Sequence, residues 1–312
     1  MPDRSSKVLV TGASGFVGSN LLSALREAGF SVVPVGGSSG FVGVCCDFSR
    51  EFDLSGALVG ADCVVHLAAR AHMPISGSDA HYLNRVNVEA PLALARQAAA
   101  AGVRRFVFLS SIGVCGSVSA EPFRVGMVDA PHDVYSESKQ AAEEGLKTVA
   151  EETGLELVIV RPPLVYGKAA PGNFPKLKKL ATMGLPLPFA GIRNKRSFIS
   201  VLNLADFLVQ CVQHSAAAGE TFLVADSETV TTVEFMRGIA SVAGRPCRLF
   251  SVPEPLVSGL LSLIGKKGLY DKVFGNLEVD ASHAQQVLGW QPPVSLQEGL
   301  RRAVIGAGRT VS

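Results

Sequence analysis

The chain has 312 residues, 47% hydrophobic and 18% charged, with 29 Lys and Arg against 27 Asp and Glu. A net charge of +2 gives no electrostatic hold on a phosphate backbone, and this apolar fraction can offset the entropy of folding. Nucleic-acid binding and disorder are therefore disfavoured, and the length fits one large domain or two smaller ones.

Met1-Pro2-Asp3-Arg4 leads directly into an apolar strand at residues 7–10, without the pattern of a secretory leader. The longest apolar stretch further on, residues 256–265, is too short to span a bilayer. Cysteines 45, 46, 63, 115, 211 and 247 show neither CxxC pairs nor metal spacing. A cytoplasmic protein with free thiols, no metal and no membrane insertion is expected.

A helix is predicted over 15–28, a strand over 31–35 and another over 62–67. An Ala-rich helix follows over 80–101, then a buried strand over 105–110, a helix over 135–153 closed by Gly154, and a strand over 155–160. This alternation of apolar strands with helices predicts a doubly wound α/β fold with a parallel sheet covered on both faces. Beyond Arg161-Pro162-Pro163 the rhythm breaks, with prolines at 163, 171, 175, 186 and 188. The predicted division is a first domain at 1–165 and a smaller mixed α/β lobe at 166–312, with about 196–213 returning to the first. The chain closes with a helix over 295–305.

Three local patterns carry chemistry. Thr11-Gly12-Ala13-Ser14-Gly15-Phe16-Val17-Gly18 joins the first strand to the first helix. Gly12 permits the turn, Gly15 lets the backbone approach a pyrophosphate, and Gly18 lets the helix pack on the strand. Tyr135-Ser136-Glu137-Ser138-Lys139 places a phenol and an ammonium one helical turn apart, where the cation favours the phenolate. Ser110-Ser111 ends a buried strand at the carboxyl edge, where ligands of such sheets sit.

Together these patterns resemble the extended short-chain dehydrogenase/reductases, the nucleotide-sugar epimerase and dehydratase group. Residues 62–69 (DCVVHLAA), Asn87-Val88, Asp47-Phe48, the run from Ser111 to Gly116 and the ending Gly289-Trp290-Gln291-Pro292 are all similar to family segments. The resemblance implies a Rossmann-type domain binding NAD or NADP, with NAD placed first. It assigns cofactor contacts to Gly12, Ser14, Gly15, Phe16, Val17, Gly18, Asp47, Phe48, Leu67, Ala68, Ala69, Asn87, Ser110, Tyr135, Lys139 and Pro162. Tyr135 is then the acid or base, Lys139 its partner and ribose ligand, and Ser111 the donor to the reacting oxygen. Substrate contacts fall to Ser111, Ile112, Gly113, Tyr135, Asn173, Leu187, Arg196 and Lys272, with Arg196 pairing the diphosphate of a UDP-sugar. His66 is read as a core histidine and Cys115 as a packed thiol.

Two departures narrow the expectation. Family 4,6-dehydratases carry Asp-Glu after the catalytic hydroxyl; Ile112 and Gly113 stand here, so dehydration is disfavoured. NAD-specific members carry Asp at the end of the second strand, where this chain has Gly36-Gly37-Ser38-Ser39. Phrases such as Pro74-Ile75-Ser76-Gly77 and Gly172-Asn173-Phe174 are similar to bacterial enzymes acting on UDP-N-acetylhexosamine derivatives for O-antigen and lipopolysaccharide synthesis. The first reading is a reductase of a UDP-2-acetamido-2,6-dideoxy-4-hexulose, of the UDP-N-acetylquinovosamine type. The alternative is a UDP-sugar 4-epimerase with bound NAD, and a third reading is a non-catalytic nicotinamide-sensing regulator. A homodimer through the helices at 90–101 and 138–152 is expected.

Overall fold

The computed structural model describes residues 6–37, 41–71, 79–252 and 274–306. Seven parallel strands form the main sheet: β1 Lys7–Thr11, β2 Ser31–Gly36, β3 Val44–Cys45, β4 Cys63–His66, β5 Arg105–Leu109, β6 Glu156–Arg161 and, after two strands named below, β9 Thr221–Leu223. Their order is β3-β2-β1-β4-β5-β6-β9. The chain winds outward in one direction from β1 and then in the other from β4. The carboxyl ends of β1 and β4 therefore meet at the switch point, the crevice where such sheets bind ligands.

Strand alternation explains the continuous apolar runs. Val8, Val10, Val65 and Val107 face one layer; Leu9, Val64, Phe106 and Phe108 face the other. The first layer holds α1 Phe16–Glu27 and α7 Val201–Gln213, through Leu21, Leu25, Leu204 and Phe207. The second holds α4 Ala90–Ala100 and α5 Val134–Thr153, through Leu94, Ala98, Ala142 and Leu146. Between β3 and β4 lies the short α2 Ser55–Leu58. Both faces of the sheet are covered, as the sequence predicts.

The helix predicted over 80–101 is broken. It comprises α3 Asp79–Asn84, a five-residue π-helical turn at Arg85–Glu89, and then α4. The wider turn carries Asn87 inward, where its amide bonds both backbone groups of Arg70 and the Ser138 hydroxyl.

The second lobe forms around β7 Leu164–Tyr166 and β8 Phe198–Ser200, a parallel pair, with α6 Asn173–Thr182, α8 Thr232–Val242 and α10 Leu296–Val304. Phe198 stacks on Phe235 at 3.9 Å, and Tyr166 meets the same ring edge-on. The Tyr166 hydroxyl donates to Asp226 at 2.7 Å, whose other oxygen accepts from Ser200 N and Asn203 Nδ2. A division of 166–312 with only 196–213 returning is coarser than this packing. β9 completes the main sheet, and α9 Ser282–Leu288 with Trp290 joins the α1–α7 core. Trp290 Nε1 donates to Asp206 on α7 at 2.7 Å, an anchor that no local sequence signal announces.

Candidate active site

The glycine turn is built by close approach. Gly12 adopts φ +67°, and a Cβ there would sit 2.8 Å from Ala68 N. A Cβ on Gly18 would lie 2.2 Å from Gly12 O, so only a bare backbone lets α1 seat against the strand end. Gly15 is the N-cap residue of α1, and no side chain caps the helix. The first-turn N–H groups are thereby left for an anion. This uncapped turn beside the switch point fits the pyrophosphate of a dinucleotide. Ser14 is exposed at its rim, while Phe16 packs toward Gly167 and the second lobe.

Thr11 organises the facing segment. Its hydroxyl meets His66 Nδ1 at 2.9 Å and accepts from Ala68 N at 3.3 Å, holding Leu67, Ala68 and Ala69 half-buried beside Gly12. His66 lies between Phe106 and Phe108. Burial, with the Lys139 charge adding to it, pushes its pKa down to about 3, as suits a neutral core residue. The exposed Asp47 carboxylate binds Ser49 N and Oγ, which lower its pKa, whereas the Phe48 ring is buried against Phe52.

Asp133 and Ser136 form a capping box that begins α5 beside the end of β5. Tyr135 is half-buried in the first turn; burial, then Asp133, pushes its phenol up to about 12. Lys139 is 1% exposed, and burial pushes it down to about 7 while Glu143 acts in the opposite sense. Its Nζ donates to Leu109 O at 2.8 Å and lies 4.4 Å from the Phe108 ring. The lowering of the phenol expected from the Tyr-x-x-x-Lys spacing joins the ammonium with the positive nicotinamide of a bound cofactor; in the protein alone burial dominates. The ammonium is directed at a β5 carbonyl instead.

Ser111 caps a short 3₁₀ turn, Ile112–Val114, and its Oγ accepts from Gly113 N at 3.1 Å. A Cβ on Gly113 would lie 3.3 Å from that Oγ and 3.2 Å from Ser136 Cβ, so Ser111 and the start of α5 are neighbours. The Ile112 side chain does not face this space. It is buried with Phe123 and Val279, and its N donates to Pro162 O at 3.0 Å. The tight turn thus directs the Ile112 side chain into the core.

Behind the site runs a network that the motifs miss. Ser110 Oγ bonds Glu143; Arg161 Nε bonds both Glu143 oxygens at 3.0 and 3.2 Å; Arg161 also grips Asp129 bidentately at 2.7 and 2.8 Å. Arg161 NH1 reaches Cys115 Sγ at 3.3 Å. That thiol is buried with its pKa raised, which fits a packed residue. The available signal was Glu143 itself, an acid on the face of α5 shared with Ala142, Leu146 and Val149.

In the second lobe, Asn173 is exposed at the first turn of α6. The Leu187 backbone, expected under uracil, exchanges hydrogen bonds with Arg248 O and Phe250 N at 2.9 and 3.0 Å. Arg196 donates to Gly275 O at 3.0 Å, and burial lowers its pKa. It has no carboxylate partner among the described residues. Lys272 and the Pro74-Ile75-Ser76-Gly77 phrase lie outside them. No helix among those residues is long and apolar enough to cross a membrane.

A doubly wound sheet with a bare helix N-terminus at its switch point defines a dinucleotide-binding enzyme of the Rossmann class. The chain belongs to the NAD dependent epimerase/dehydratase family, whose model matches residues 8–225. Its cofactor is thus a nicotinamide dinucleotide. It is 38% identical over 307 residues to a UDP-glucose 4-epimerase of Vibrio cholerae, covering 95% of this chain and 93% of that protein. Its fold is similar to a UDP-N-acetylglucosamine 4-epimerase from Bacillus cereus (TM-score 0.80, 19% identity, 97% and 100% of the two chains). A UDP-glucuronic acid 4-epimerase from Bacillus cereus in complex with NAD is also similar (TM-score 0.78, 22% identity, 96% of both chains).

Proposed function

We propose that this protein is a NAD-dependent 4-epimerase of a UDP-sugar, in preference to the 4-keto reductase that the motifs alone placed first. The observations that support it are that Ser111 neighbours the start of α5 and that Lys139 is tied to the end of β5, in the order β1-β4-β5 of a chain 38% identical over 307 residues to a UDP-glucose 4-epimerase. Tyr135 takes the proton of the 4-hydroxyl and later returns one to the 4-oxygen. Ser111 donates to that oxygen and sets its position. Lys139 holds the ribose, and its charge joined with that of the bound nicotinamide favours the phenolate against the burial that raises the Tyr135 pKa. Bound NAD supplies reversible hydride acceptance at C4. Arg196 pairs with the diphosphate through its planar fork.

Incubation with UDP-glucose or UDP-N-acetylglucosamine, without added cofactor, tests this reading by anomeric proton NMR. The galacto epimer is expected. Its absence, with turnover appearing only when reduced cofactor and a 4-keto sugar are supplied, would establish the reductase reading.

One observation favours that second reading. Gly36 ends β2 where a ribose-binding carboxylate stands in NAD-specific relatives, and a Cβ there would lie 2.8 Å from the Phe41 ring. A site without that carboxylate holds its cofactor less tightly, as a reductase exchanging it each cycle needs.

We also infer a homodimer through α4 and α5, whose outer faces expose the small residues Ala93, Ala100 and Ala141. Sedimentation at the mass of one chain, 32.7 kDa, would exclude it.

A further inference from the structure

The triad residues account for three polar side chains at the end of β5, yet the most buried acid nearby is Glu143. It lies one helical turn beyond Lys139 on α5 and is 1% exposed, as is Lys139. Its carboxylate is held by Arg161 from β6 and by Ser110 from β5, while Arg161 is held in turn by Asp129. Asp129, Arg161 and Glu143 are thus joined by ion pairs, and the buried Lys139 stands one helical turn before Glu143 on α5. A carboxylate this deep is costly unless paired, and Arg161 alone already pairs with it. Its other neighbours are Lys139 and the serine preceding Ser111.

From this geometry we infer that Glu143 is the positioning residue of the site: it keeps Lys139 charged in a desolvated place and, through Ser110, fixes the strand end that carries Ser111. Lys139 needs such support. Around its Nζ stand the Leu109 carbonyl and the Phe108 ring from β5, with His66 on β4 feeling its charge and Tyr135 one helical turn earlier on α5. His66 is neutral, and a neutral phenol carries no charge to pair with the ammonium. Glu143 is the anion that acts on Lys139 among the described residues. Removing its charge leaves the Lys139 and Arg161 cations close together behind the site.

The inference rests on the role given to Lys139 in the proposed epimerisation, and its test is arranged to separate the two. The Lys139 titration is followed by NMR of full-length protein carrying ¹³Cε-lysine, with Lys139→Arg to assign the signal. Glu143→Gln keeps the shape and removes the charge, and is expected to lower the Lys139 midpoint by about one pH unit or more. Turnover of Glu143→Gln at neutral pH should fall about tenfold or more, with KM for the UDP-sugar nearly unchanged and the alkaline limb of kcat moved to lower pH. Glu143→Asp, which retains the charge, should restore much of the midpoint. Superimposable Lys139 titrations in wild type and Glu143→Gln would overturn the inference, as would equal midpoints in the Gln and Asp variants. If Glu143→Gln does not fold, Asp129→Asn at the outer end of the chain decides: a smaller downward shift is expected, and no shift in a folded variant refutes it. A wild type without epimerase activity would remove the proposed function while leaving the titration result intact.

Discussion

Lys139 Nζ donates to the carbonyl oxygen of Leu109 at 2.8 Å, so the helix bearing Tyr135 is tied to the strand leading to Ser111 by the side chain that the proposed chemistry uses. The tie carries a stability cost. Burial lowers the Lys139 pKa from an ordinary 10.5 to about 7. Between these values the unfolded chain binds more protons than the folded one, so stability rises as pH increases from about 7 toward 10.5. Lys139→Met should abolish turnover and flatten this dependence. It should also raise the Tm of the cofactor-free protein at pH 7 by about 2 °C for each kcal/mol recovered. Differential scanning calorimetry across pH 6–10 checks the sign.

Tyr135→Phe tests the proton transfer alone. The change removes one oxygen from a half-buried ring, so Tm should stay within about 2 °C of wild type. Turnover should fall by roughly 10²–10⁴-fold, the usual contribution of a positioned acid or base, while NAD affinity changes little. No turnover by wild type or variant on any UDP-sugar tried, with nicotinamide dinucleotide still bound, would instead support the nicotinamide-sensing regulator.

The glycine turn predicts an ordered pair of defects. Gly18→Ala drives a methyl to 2.2 Å from the Gly12 carbonyl oxygen, so backbone must move. A loss of about 1–3 kcal/mol or more in urea unfolding is expected, with cofactor binding impaired. Gly15→Ala meets only Gly12 O at 3.1 Å and should lose far less stability. Because it adds bulk at the N-cap, it should still weaken NAD binding, measured by calorimetric titration.

Arg196 offers a split between binding and chemistry. Its guanidinium has one backbone partner at 3.0 Å and no described carboxylate, leaving most of its donors for a ligand. Arg196→Ala should raise KM for the UDP-sugar about 10- to 100-fold, the scale of charged hydrogen bonds, with a much smaller effect on kcat. Arg196→Lys should recover only part of this loss, because an ammonium lacks the planar fork. Full recovery by Lys would show a simple charge requirement.

How much was legible beforehand depended on the distance over which each feature is specified. The turn at residues 12–18 and the Tyr135–Lys139 pair lie within one or two consecutive elements, and helical or turn geometry alone relates their side chains. The strands at 105–110 and 155–160 are readable because both sheet faces are covered, so the central runs 106–109 and 157–160 are continuously apolar. The pattern over 80–101 predicts one continuous helix, but the π-helical turn serves the hydrogen bonds that Asn87 Nδ2 donates to Arg70 O and Ser138 Oγ, which no local spacing encodes. The strand Thr221–Leu223 is three residues long, below the length at which periodicity can be recognised.

By itself, then, the sequence determined the α/β class, the glycine-rich turn at residues 12–18 and the candidate residues Ser111, Tyr135 and Lys139, all properties of short contiguous segments. Only the tertiary structure decided the protonation tendencies of Tyr135 and Lys139, the inward turn of Ile112 and the Asp129–Arg161–Glu143 chain. Those depend on which distant elements exclude water from a charged group. Desolvation and ion pairing act through space between residues 129, 143 and 161, and no spacing rule along the chain encodes the packing that brings them together.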